Sequence, residues 1–537
     1  MSSVPPVSRH LADLLTEVAR RTPDALAVAD GDLLLSYAEL DARVDAWAGG
    51  LSDLGLARGG TLGLLCTNRE EWLGAALGAH RLGARVAAFN TFAKAWDLEH
   101  MLAHSQAEVL VCVQRFRRRD YRETLAELLP ELARRDWRSE RFPRLHQVVL
   151  IGEEPPLPGA LSVDDVVGSA SAPPPPAPAA TSAGEDAFVL YTSGSSARPK
   201  AVPLEHGALI ENGFGIGERM ELTGDDRVFV SVPLFWAYGA VNALPATLSH
   251  GAALVLQEAF EPDGALDLIE RHRCTAIYTL PNMTASLVTT DAFARARVAS
   301  LRTGLTIGTP SDMRCAMDDL GVAGICNVYG GTETYGNCCI TPAAWPRERR
   351  ERSQGPPLPG MRVRIADPAT GAILDPGAVG EIEVAGYLAR GYLDDESGAG
   401  TAFGADGWYR TGDLGAVDED GALSFSSRAT EMIKTGGINV APREVEEFLA
   451  LHPAVRTAAV VGAPDVRLAE VVVAFVVCAD GVTASAGELR AFCAERIAAY
   501  KVPARIHVVD ELPTTDTGKL ARAQLVELDR IEEGSAA

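Results

Sequence analysis

The feature that most constrains the fold is a regular alternation of amphipathic helical stretches and short apolar strands near the start of the chain. The predicted helices and strands are, in order, residues 40–54, 61–66, 71–82, 84–88 and 96–104. Such a rhythm predicts a parallel sheet with helices on both faces. The pattern returns in residues 187–345, so we expect two doubly wound α/β subdomains.

The pattern changes in the last third of the chain. Residues 354–426 consist of short segments separated by Gly, Asp-Pro and Asp-Gly turns, which predicts a small β-rich subdomain. After Arg428, about a hundred residues have a compact α/β pattern, a size that suits a separate domain. We therefore expect a large domain over residues 1–427 and a small α/β domain over residues 428–537. The Pro-rich residues 171–180 are predicted to form an exposed connector.

Charge and cysteine content exclude several classes of protein. The net charge of −23 argues against recognition of nucleic acid or an anionic membrane surface through a general electrostatic field. The apolar runs are too short to span a bilayer, and residues 1–6 do not resemble a secretory signal. Nine cysteines without paired spacing indicate free thiols, which favours a cytoplasmic location. Two interpretations of the basic run Arg115–Arg119 are open, an anion site and a solvated loop, and the acidity of the protein favours the solvated loop.

A loop rich in hydroxyl and backbone donors follows a predicted buried strand. Its sequence is Tyr191-Thr-Ser-Gly-Ser-Ser-Ala-Arg-Pro-Lys200. Two interpretations are open: a cradle for a polyphosphate, which needs many short donors and positive charge, or a solvated linker. The return to apolar residues at Ala201-Val202 favours the cradle, because the chain goes directly back into patterned structure.

Three distant segments, read with this loop, suggest a family. They are Asn327-Val-Tyr-Gly-Gly-Thr-Glu333, Tyr409-Arg-Thr-Gly-Asp-Leu414 and Pro513-Thr-Thr-Asp-Thr-Gly-Lys-Leu520. In that order, with Arg428 and Lys434-Thr-Gly-Gly437 between the last two, the set resembles the adenylate-forming superfamily. Its members are acyl- and aryl-CoA synthetases, adenylation domains of nonribosomal peptide synthetases, and luciferases. The pattern is most similar to that of the acyl-CoA synthetases, and the resemblance extends from about Leu35 to Arg522.

The resemblance implies a site for ATP and Mg²⁺. The residues expected to bind the leaving phosphates are Thr192, Ser193, Gly194, Ser195, Ser196 and Lys200. In the second segment, Tyr329 is expected to stack on adenine beside Gly330, Thr332 to contact the α-phosphate, and Glu333 to bind magnesium together with Thr192. Asp413 is expected to accept the ribose hydroxyls, with Arg428 near the same ribose. The alternative for Thr332-Glu333 is a strand end whose two side chains satisfy each other.

The resemblance also implies that the small domain moves. Lys519 is expected to bind the α-phosphate and the incoming carboxylate, so the domain that carries it must close over the site. After rotation about Thr430, where the family usually has Asp or Lys, the glycine-lined segment with Lys434, Gly436 and Gly437 is expected to form the channel for pantetheine.

The acyl pocket carries the weakest sequence signal. Gly308-Thr309-Pro310 matches a family segment that lines the adenine and acyl pocket, and Gly331 is expected beside the acid. Trp236 stands where histidine is common, and it is interpreted either as a wall of an apolar pocket or as a packed core aromatic. No carboxylate occurs between Leu234 and Tyr238, where the amino-acid-activating members of the family keep an aspartate for the substrate ammonium group. The resemblance therefore favours a hydrophobic acid over an amino acid.

The predicted function is ATP-dependent activation of a hydrophobic carboxylic acid to acyl-AMP, with release of pyrophosphate, followed by transfer to CoA. An alternative is an acyl-AMP synthetase that passes the acyl group to a carrier protein or to a partner enzyme. A non-catalytic nucleotide-binding descendant is disfavoured because Lys519, Glu333, Asp413 and Arg428 are all present. A luciferase-like oxygenase is a further alternative with little support.

Overall fold

The computed structural model describes residues 4–168, 183–192, 199–393, 402–428, 431–435, 438–440, 442–465, 468–495, 497, 501–515 and 520–536. It has a large domain with two mostly parallel sheets and one antiparallel sheet, and a small domain around a further mixed sheet. This is the mixed α/β architecture that the sequence predicts. The predicted Pro-rich connector lies outside the described residues.

The first large sheet has seven strands, with helices packed against it. In sheet order they are Lys200–Glu205, Asp186–Thr192, Arg85–Ala88, Thr61–Leu65, Val109–Val113, Gln147–Ile151 and Leu161–Ser162. All pairs are parallel except that of the two strands at the Lys200 edge. Every residue of the central strands Thr61–Leu65 and Val109–Val113 is buried, as parallel strands covered on both faces require.

The second large sheet has eight strands and a parallel centre. In sheet order they are Cys339–Ile340, Gly324–Tyr329, Thr303–Thr306, Ala276–Tyr278, Arg227–Val230, Ala253–Leu256, Leu26–Asp30 and Leu33–Ser36. Leu26–Asp30 comes from the start of the chain and pairs in parallel with Ala253–Leu256. Conversely, Asp186–Thr192 from the middle of the chain belongs to the first sheet. The two α/β halves are therefore interleaved in sequence.

The β-rich part and the small domain follow. The antiparallel sheet contains Arg362–Ala366, Gly380–Ala385, Tyr409–Val417 and Leu423–Arg428. In the small domain the order is Ile438–Val440, Ile433–Thr435, Ala469–Cys478 and Val455–Asp465, and Arg505–Val508 also pairs with Ala469–Cys478. Separate buried clusters cover the two faces of this small sheet.

The helices cover the sheets. The α-helices are Leu11–Arg21, Tyr37–Asp53, Glu70–Arg81, Ala95–Ser105, Tyr121–Leu128, Val163–Val167, His206–Met220, Leu244–His250, Pro262–His272, Pro281–Thr289, Pro310–Arg314, Arg347–Arg352, Pro442–Leu449, Ala486–Ala494 and Arg522–Ala536. Pro130–Ala133 and Thr332–Thr334 are 3₁₀ turns, and Ala237–Ala243 and Cys315–Asp319 are π-helices. In the described part of the chain, no helix has both the length and the apolar character that crossing a bilayer demands.

Local sequence signals explain several helix ends. The Ser36 hydroxyl accepts a hydrogen bond from the Glu39 amide at 3.2 Å, and the Glu39 carboxylate accepts one from the Ser36 amide at 2.8 Å. This reciprocal cap starts the helix Tyr37–Asp53. The helix Glu70–Arg81 ends before Gly83, whose φ of +73° suits glycine.

One sequence interpretation is wrong. The basic run Arg115–Arg119 is not a plain solvated loop but a small hairpin, in which Arg115–Phe116 pairs with Arg119–Asp120. Arg115 forms ion pairs with Asp120 and Glu154, both at 2.9 Å. These ion pairs order the Arg115 end of the basic run. The pairing with Glu154 could not be predicted from the run itself, because Glu154 lies far away in sequence.

Candidate active site

A cleft of about 1830 Å³ lies between the large and small domains. The predicted residues that line it are Thr192, Lys200, Trp236, Thr309, Pro310, Tyr329, Gly330, Gly331, Thr332, Glu333, Asp413 and Arg428. Residues that are far apart in sequence are thus brought to one cavity, as a shared site requires.

Not every predicted residue is found among the described residues that line this cleft. Gly308 is adjacent to it, and its carbonyl accepts hydrogen bonds from Asn327 and Arg443. Lys434 belongs to the strand Ile433–Thr435. Ser193, Gly194, Ser195, Ser196, Thr430, Gly436, Gly437 and Lys519 lie outside the described residues, so their roles stay predictions.

The predicted phosphate loop connects the two strands of a hairpin. Asp186–Thr192 and Lys200–Glu205 pair antiparallel, with Thr192 opposite Lys200. The hydroxyl of Thr192 donates a hydrogen bond to the carbonyl of Lys200 at 3.4 Å. Because the first strand is buried from Ala187 to Leu190, the two ends of the loop are anchored in the core. The segment therefore joins two paired strands of the first large sheet.

The segment after the strand Gly324–Tyr329 is held in an uncommon backbone conformation. Tyr335 has a φ of +59°, which is costly for a bulky residue. Its carbonyl accepts hydrogen bonds from the side-chain amides of Asn212 at 2.9 Å and Asn242 at 2.8 Å. Both asparagines are buried, so their hydrogen bonds hold the turn that contains Thr332 and Glu333 against the core.

Tyr392 contacts both Glu333 and Lys200. The hydroxyl of Tyr392 donates a hydrogen bond to the Glu333 carboxylate at 2.9 Å. The ammonium of Lys200 lies 4.4 Å from the centre of the Tyr392 ring. No hydrogen bond joins Thr332 to Glu333 among the described contacts, contrary to the alternative in which the two satisfy each other. Tyr392 is absent from the sequence prediction because a single tyrosine after Arg390-Gly391 is not a specific signal.

Asp413 and Tyr329 form a second polar pair in the cleft. The Tyr329 hydroxyl donates to the Asp413 carboxylate at 2.8 Å, and Arg428 Nε lies 3.3 Å from its other oxygen, Oδ1. That oxygen is buried and accepts no hydrogen bond within the described residues. Burial raises the pKa of Asp413, while Arg428 and Tyr329 oppose the rise. A buried acceptor without a donor is suited to a ligand hydroxyl.

Tyr329 has an aromatic neighbour. Its ring stacks on Phe425 at a centroid distance of 5.9 Å and an interplanar angle of 26°. Phe425 in turn lies 5.5 Å from the guanidinium of Arg443 in the small domain. Both rings belong to the large domain, and Arg443 extends this contact to the small domain.

Trp236 is half-buried and lies at the wall between the cleft and a second cavity. It immediately precedes the π-helix Ala237–Ala243 and contacts Phe235 at 5.8 Å between ring centroids. It lines both the cleft and a smaller cavity of about 280 Å³. One part of the tryptophan therefore packs against the core, and another part faces the two cavities. The interpretation as a pocket wall and the interpretation as a packed core aromatic each describe part of its environment.

The small domain contacts the large one directly beside the cleft. Arg443 donates a hydrogen bond to the carbonyl of Gly308 at 3.1 Å. Thr514 and Leu520, which flank the segment with Lys519, both line the cleft. The arrangement brings both described ends of the predicted lysine segment to the site.

The donor set is compatible with magnesium. Within the described ranges, no three His, Cys, Asp or Glu side chains converge on a metal-binding position. Magnesium in nucleotide sites is usually bound by one or two carboxylates, with phosphate oxygens and water completing its shell. Glu333, which faces the cleft, meets that requirement.

Comparisons with known proteins agree with this geometry. A family model described as AMP-binding enzyme matches residues 15–393, and the AMP-binding enzyme C-terminal domain matches residues 444–519. The chain belongs to the AMP-binding enzymes, the adenylate-forming superfamily. More particularly, it is an AMP-forming acid–thiol ligase of the acyl-CoA synthetase type, which uses ATP and CoA.

Individual relatives cover nearly the whole chain. Feruloyl-CoA synthase of Amycolatopsis sp. is 33% identical, with 94% of this chain and 96% of the relative aligned. The mitochondrial medium-chain acyl-CoA ligase ACSF2 of Mus musculus is 30% identical over 97% of this chain and 88% of its own. The crystal structure of the anthranilate CoA ligase AuaEII with anthranoyl-AMP superposes with a TM-score of 0.85 at 26% identity, covering 99% of each chain.

Proposed function

We propose that the acid activated by this enzyme is hydrophobic and that its body lies beside Trp236. The observation that carries the proposal is the lining of the cleft there, where Phe235, Leu280 and Ile307 accompany the tryptophan. Residues 234–238 offer no carboxylate to a substrate ammonium group. Burying an unpaired ammonium would be costly, so an amino acid is disfavoured. The acids in the names of the relatives, which are feruloyl, anthraniloyl and medium-chain acyl, share an apolar body.

The first half-reaction joins two anions. A carboxylate oxygen of the acid attacks the α-phosphorus of ATP, the bond from that phosphorus to the bridging oxygen breaks, and pyrophosphate leaves. Catalysis must therefore come from positioning and from stabilisation of negative charge. We assign charge stabilisation to Lys200 and Lys519, and the hydrogen bond to the α-phosphate to Thr332.

The nucleotide is oriented by the other side of the cleft. Asp413 accepts the ribose hydroxyls, Arg428 lies near the same ribose, and Tyr329 provides an adenine-binding ring beside Gly330. Glu333 and Thr192 would hold magnesium, which would neutralise phosphate charge. Tyr392 orients the Glu333 carboxylate for that purpose through its hydrogen bond.

The second half-reaction needs a different arrangement of the domains. We propose that the small domain, over residues 428–537, rotates about Thr430 and that the segment with Lys434, Gly436 and Gly437 then lines the path of pantetheine. A phosphopantetheinylated carrier protein is the alternative acceptor. We also propose a cytoplasmic location, which is supported by the free state of all nine cysteines.

A pyrophosphate-release screen tests the proposal. The purified enzyme is given ATP, Mg²⁺ and a panel of aliphatic, aromatic, polycyclic and amino acids, with and without CoA, and thioesters are identified by mass spectrometry. Release with apolar acids and formation of their CoA thioesters are expected. Activity confined to amino acids contradicts the substrate assignment. Pyrophosphate release without a CoA thioester, but with acylation of a carrier protein, supports the alternative acceptor.

The variant Trp236→Ala connects the screen to the pocket. Enlarging the cavity should shift the preference among acids towards bulkier ones, with little change in the KM for ATP. An equal loss of activity on every acid, together with a lower melting temperature, would instead indicate a purely core-packing role.

A further inference from the structure

Two buried asparagines meet at one turn in the wall of the main cleft. Asn242 reaches this turn from the π-helix Ala237–Ala243, and its amide nitrogen donates to the carbonyl of Tyr335 at 2.8 Å. A Cβ on Gly336 would lie 2.2 Å from Asn242 Oδ1, so this oxygen lies against the backbone of Gly336. Asn337 is the next residue of the chain. Both asparagines line the cleft, although only 0% and 2% of their surfaces are exposed.

Each of these asparagines has one polar atom without a hydrogen-bond partner. Asn242 Oδ1 and Asn337 Nδ2 are both buried, and neither forms a hydrogen bond within the described residues. The orientation of the Asn242 amide is fixed, because the atom that faces the carbonyl of Tyr335 must be the donor. A buried polar atom without a partner is unfavourable. An unpaired acceptor and an unpaired donor at one cleft wall suit a ligand group that both donates and accepts.

A third asparagine provides a matched comparison. Asn212 also donates to the carbonyl of Tyr335, at 2.9 Å, and its Oδ1 is also buried without a partner in the described part of the chain. It lies on the helix His206–Met220 and is not among the described residues that line the cleft. The position at the cleft wall therefore distinguishes Asn242 and Asn337 from an asparagine that only supports the turn.

The two cleft asparagines lie on elements that the proposed function assigns to the acid. The π-helix with Asn242 begins directly after Trp236, beside which the body of the acid is placed. Asn337 follows the 3₁₀ turn Thr332–Thr334, whose first residue is assigned to the α-phosphate that the carboxylate attacks. The wall along which the acid would extend from its carboxylate therefore includes both asparagines.

We propose that the acid carries a hydroxyl group on its apolar body, and that this hydroxyl donates to Asn242 Oδ1 and accepts from Asn337 Nδ2. The inference rests on the proposed function and deepens it, because it names the substrate class and two specificity-determining residues. A hydroxyl has one donor and two acceptor lone pairs, so a single oxygen satisfies both asparagines. A hydrogen or a methyl group in its place leaves both unpaired. A carbonyl accepts from Asn337 alone, and a second carboxylate places its charge against the Asn242 oxygen.

The test compares acids that differ only in one hydroxyl. Pyrophosphate release with ATP and Mg²⁺ is measured for phenylpropanoic acid, its isomers with one ring hydroxyl and the corresponding methoxy acids, and for octanoic acid and its hydroxylated isomers. We expect at least one hydroxy acid to exceed its unsubstituted and methoxy counterparts about a hundredfold in kcat/KM. The discrimination arises because the buried polar groups of the site stay unpaired with an analogue that lacks the hydroxyl.

Three variants assign this preference to the asparagines. Asn242→Leu and Asn337→Leu replace the amide by an apolar group of similar size. Each should lower the ratio of kcat/KM for the hydroxy acid to that for its unsubstituted counterpart about tenfold or more. Asn212→Leu loses the same bond to Tyr335 but should keep the wild-type ratio. Because the ratio compares two substrates of one protein sample, a partial loss of folded enzyme does not change it.

Three results would overturn the inference: hydroxy acids that the wild type uses no better than their unsubstituted counterparts, an unchanged ratio in both cleft variants, or an equal change of the ratio in Asn212→Leu. If a cleft variant does not fold, the comparison of acids with the wild type decides alone. Equal release with hydroxylated and unsubstituted acids leaves the proposed function intact. If the wild type releases no pyrophosphate with any acid, the proposed function fails, and this inference fails with it.

Discussion

At the scale of single residues, the proposed role of Asp413 at the ribose predicts that nucleotide binding depends on pH. Its carboxylate must be ionised to accept two ribose hydroxyls, and burial raises its pKa above that of an ordinary aspartate. As pH falls through this raised pKa, protonation of the carboxylate removes an acceptor, and the affinity for ATP should decline. The decline should occur at a higher pH than it would if the carboxylate were that of an exposed aspartate. Calorimetric titration of ATP across the acidic range should show this decline in the wild type.

Two variants separate this effect from general acid sensitivity. Asp413→Asn should bind ATP weakly at every pH, without the acid decline. Asp406→Asn, which changes an exposed turn residue bound to Arg364, should keep the wild-type profile. A decline that persists in Asp413→Asn would assign the titration to another group.

Tyr392 is expected to tune the magnesium site. In Tyr392→Phe the ring beside Lys200 remains, but the hydrogen bond to Glu333 is lost. Since a hydrogen bond to a charged group contributes about 1.5–3 kcal/mol, we expect pyrophosphate release to fall about tenfold or more at limiting Mg²⁺. Raising Mg²⁺ should restore part of the rate. Tyr387→Phe is the control, because that tyrosine does not line the cleft.

The residue scale also shows what sequence can identify. Tyr329, Glu333 and Asp413 stand in motifs whose residue types match the chemistry of a nucleotide, and the structure brings them to one cleft. Tyr392 and Asn242 support that cleft through single hydrogen bonds. Their partners lie far away in sequence, so no local pattern could have indicated them.

At the scale of elements, the turn after Tyr329 depends on close backbone packing. A Cβ on Gly330 would lie 2.3 Å from the carbonyl oxygen of Gly336 and 2.8 Å from Cα of Asn337, both backbone atoms. Gly330→Ala should therefore shift the turn and destabilise the protein by about 1–3 kcal/mol. Thermal unfolding should show a lower melting temperature, and binding of ATP should weaken.

The neighbouring glycine provides the control. A Cβ on Gly331 would meet only the Glu333 carboxylate, at 3.3 Å, and that side chain can move. Gly331→Ala should leave the melting temperature close to that of the wild type. Equal destabilisation by both variants would contradict the assignment of the constraint to Gly330.

The existence and type of most elements followed from periodicity, because the core strands and amphipathic helices carry strong patterns. The strand predicted over residues 84–88 is observed as Arg85–Ala88, and the helix predicted over residues 71–82 is observed as Glu70–Arg81. Sheet membership was not predictable in the same way. Whether Leu26–Asp30 pairs with a nearby or a distant strand depends on the packing of the whole domain, which local periodicity does not encode.

At the scale of the molecule, Arg443 connects the two domains. It donates to the carbonyl of Gly308, lies over Phe425 and pairs with Glu447 in its own helix. Arg443→Ala should weaken the closed arrangement and slow pyrophosphate release several-fold. Conversion of a supplied acyl adenylate to the CoA thioester should be spared, because we propose that this step uses the other orientation of the small domain.

Arg490→Ala provides the comparison, since Arg490 is an exposed arginine on another helix of the small domain. It should leave both half-reactions unchanged. If Arg443→Ala slowed both half-reactions equally, the arginine would have to act on the stability of the small domain and not on its orientation.

The interleaving of the two large sheets has a consequence for synthesis of the protein on the ribosome. Val28 pairs with Leu254, 226 residues farther along the chain. At ordinary elongation rates, the strand Ala253–Leu256 emerges from the ribosome roughly 10 to 45 s after the strand Leu26–Asp30. One edge of Leu26–Asp30 pairs with Leu33–Ser36, which emerges at once, but the edge that will pair with Ala253–Leu256 stays open and is prone to association with other chains. This part of the second large sheet is thus completed only when residues 253–256 have been translated.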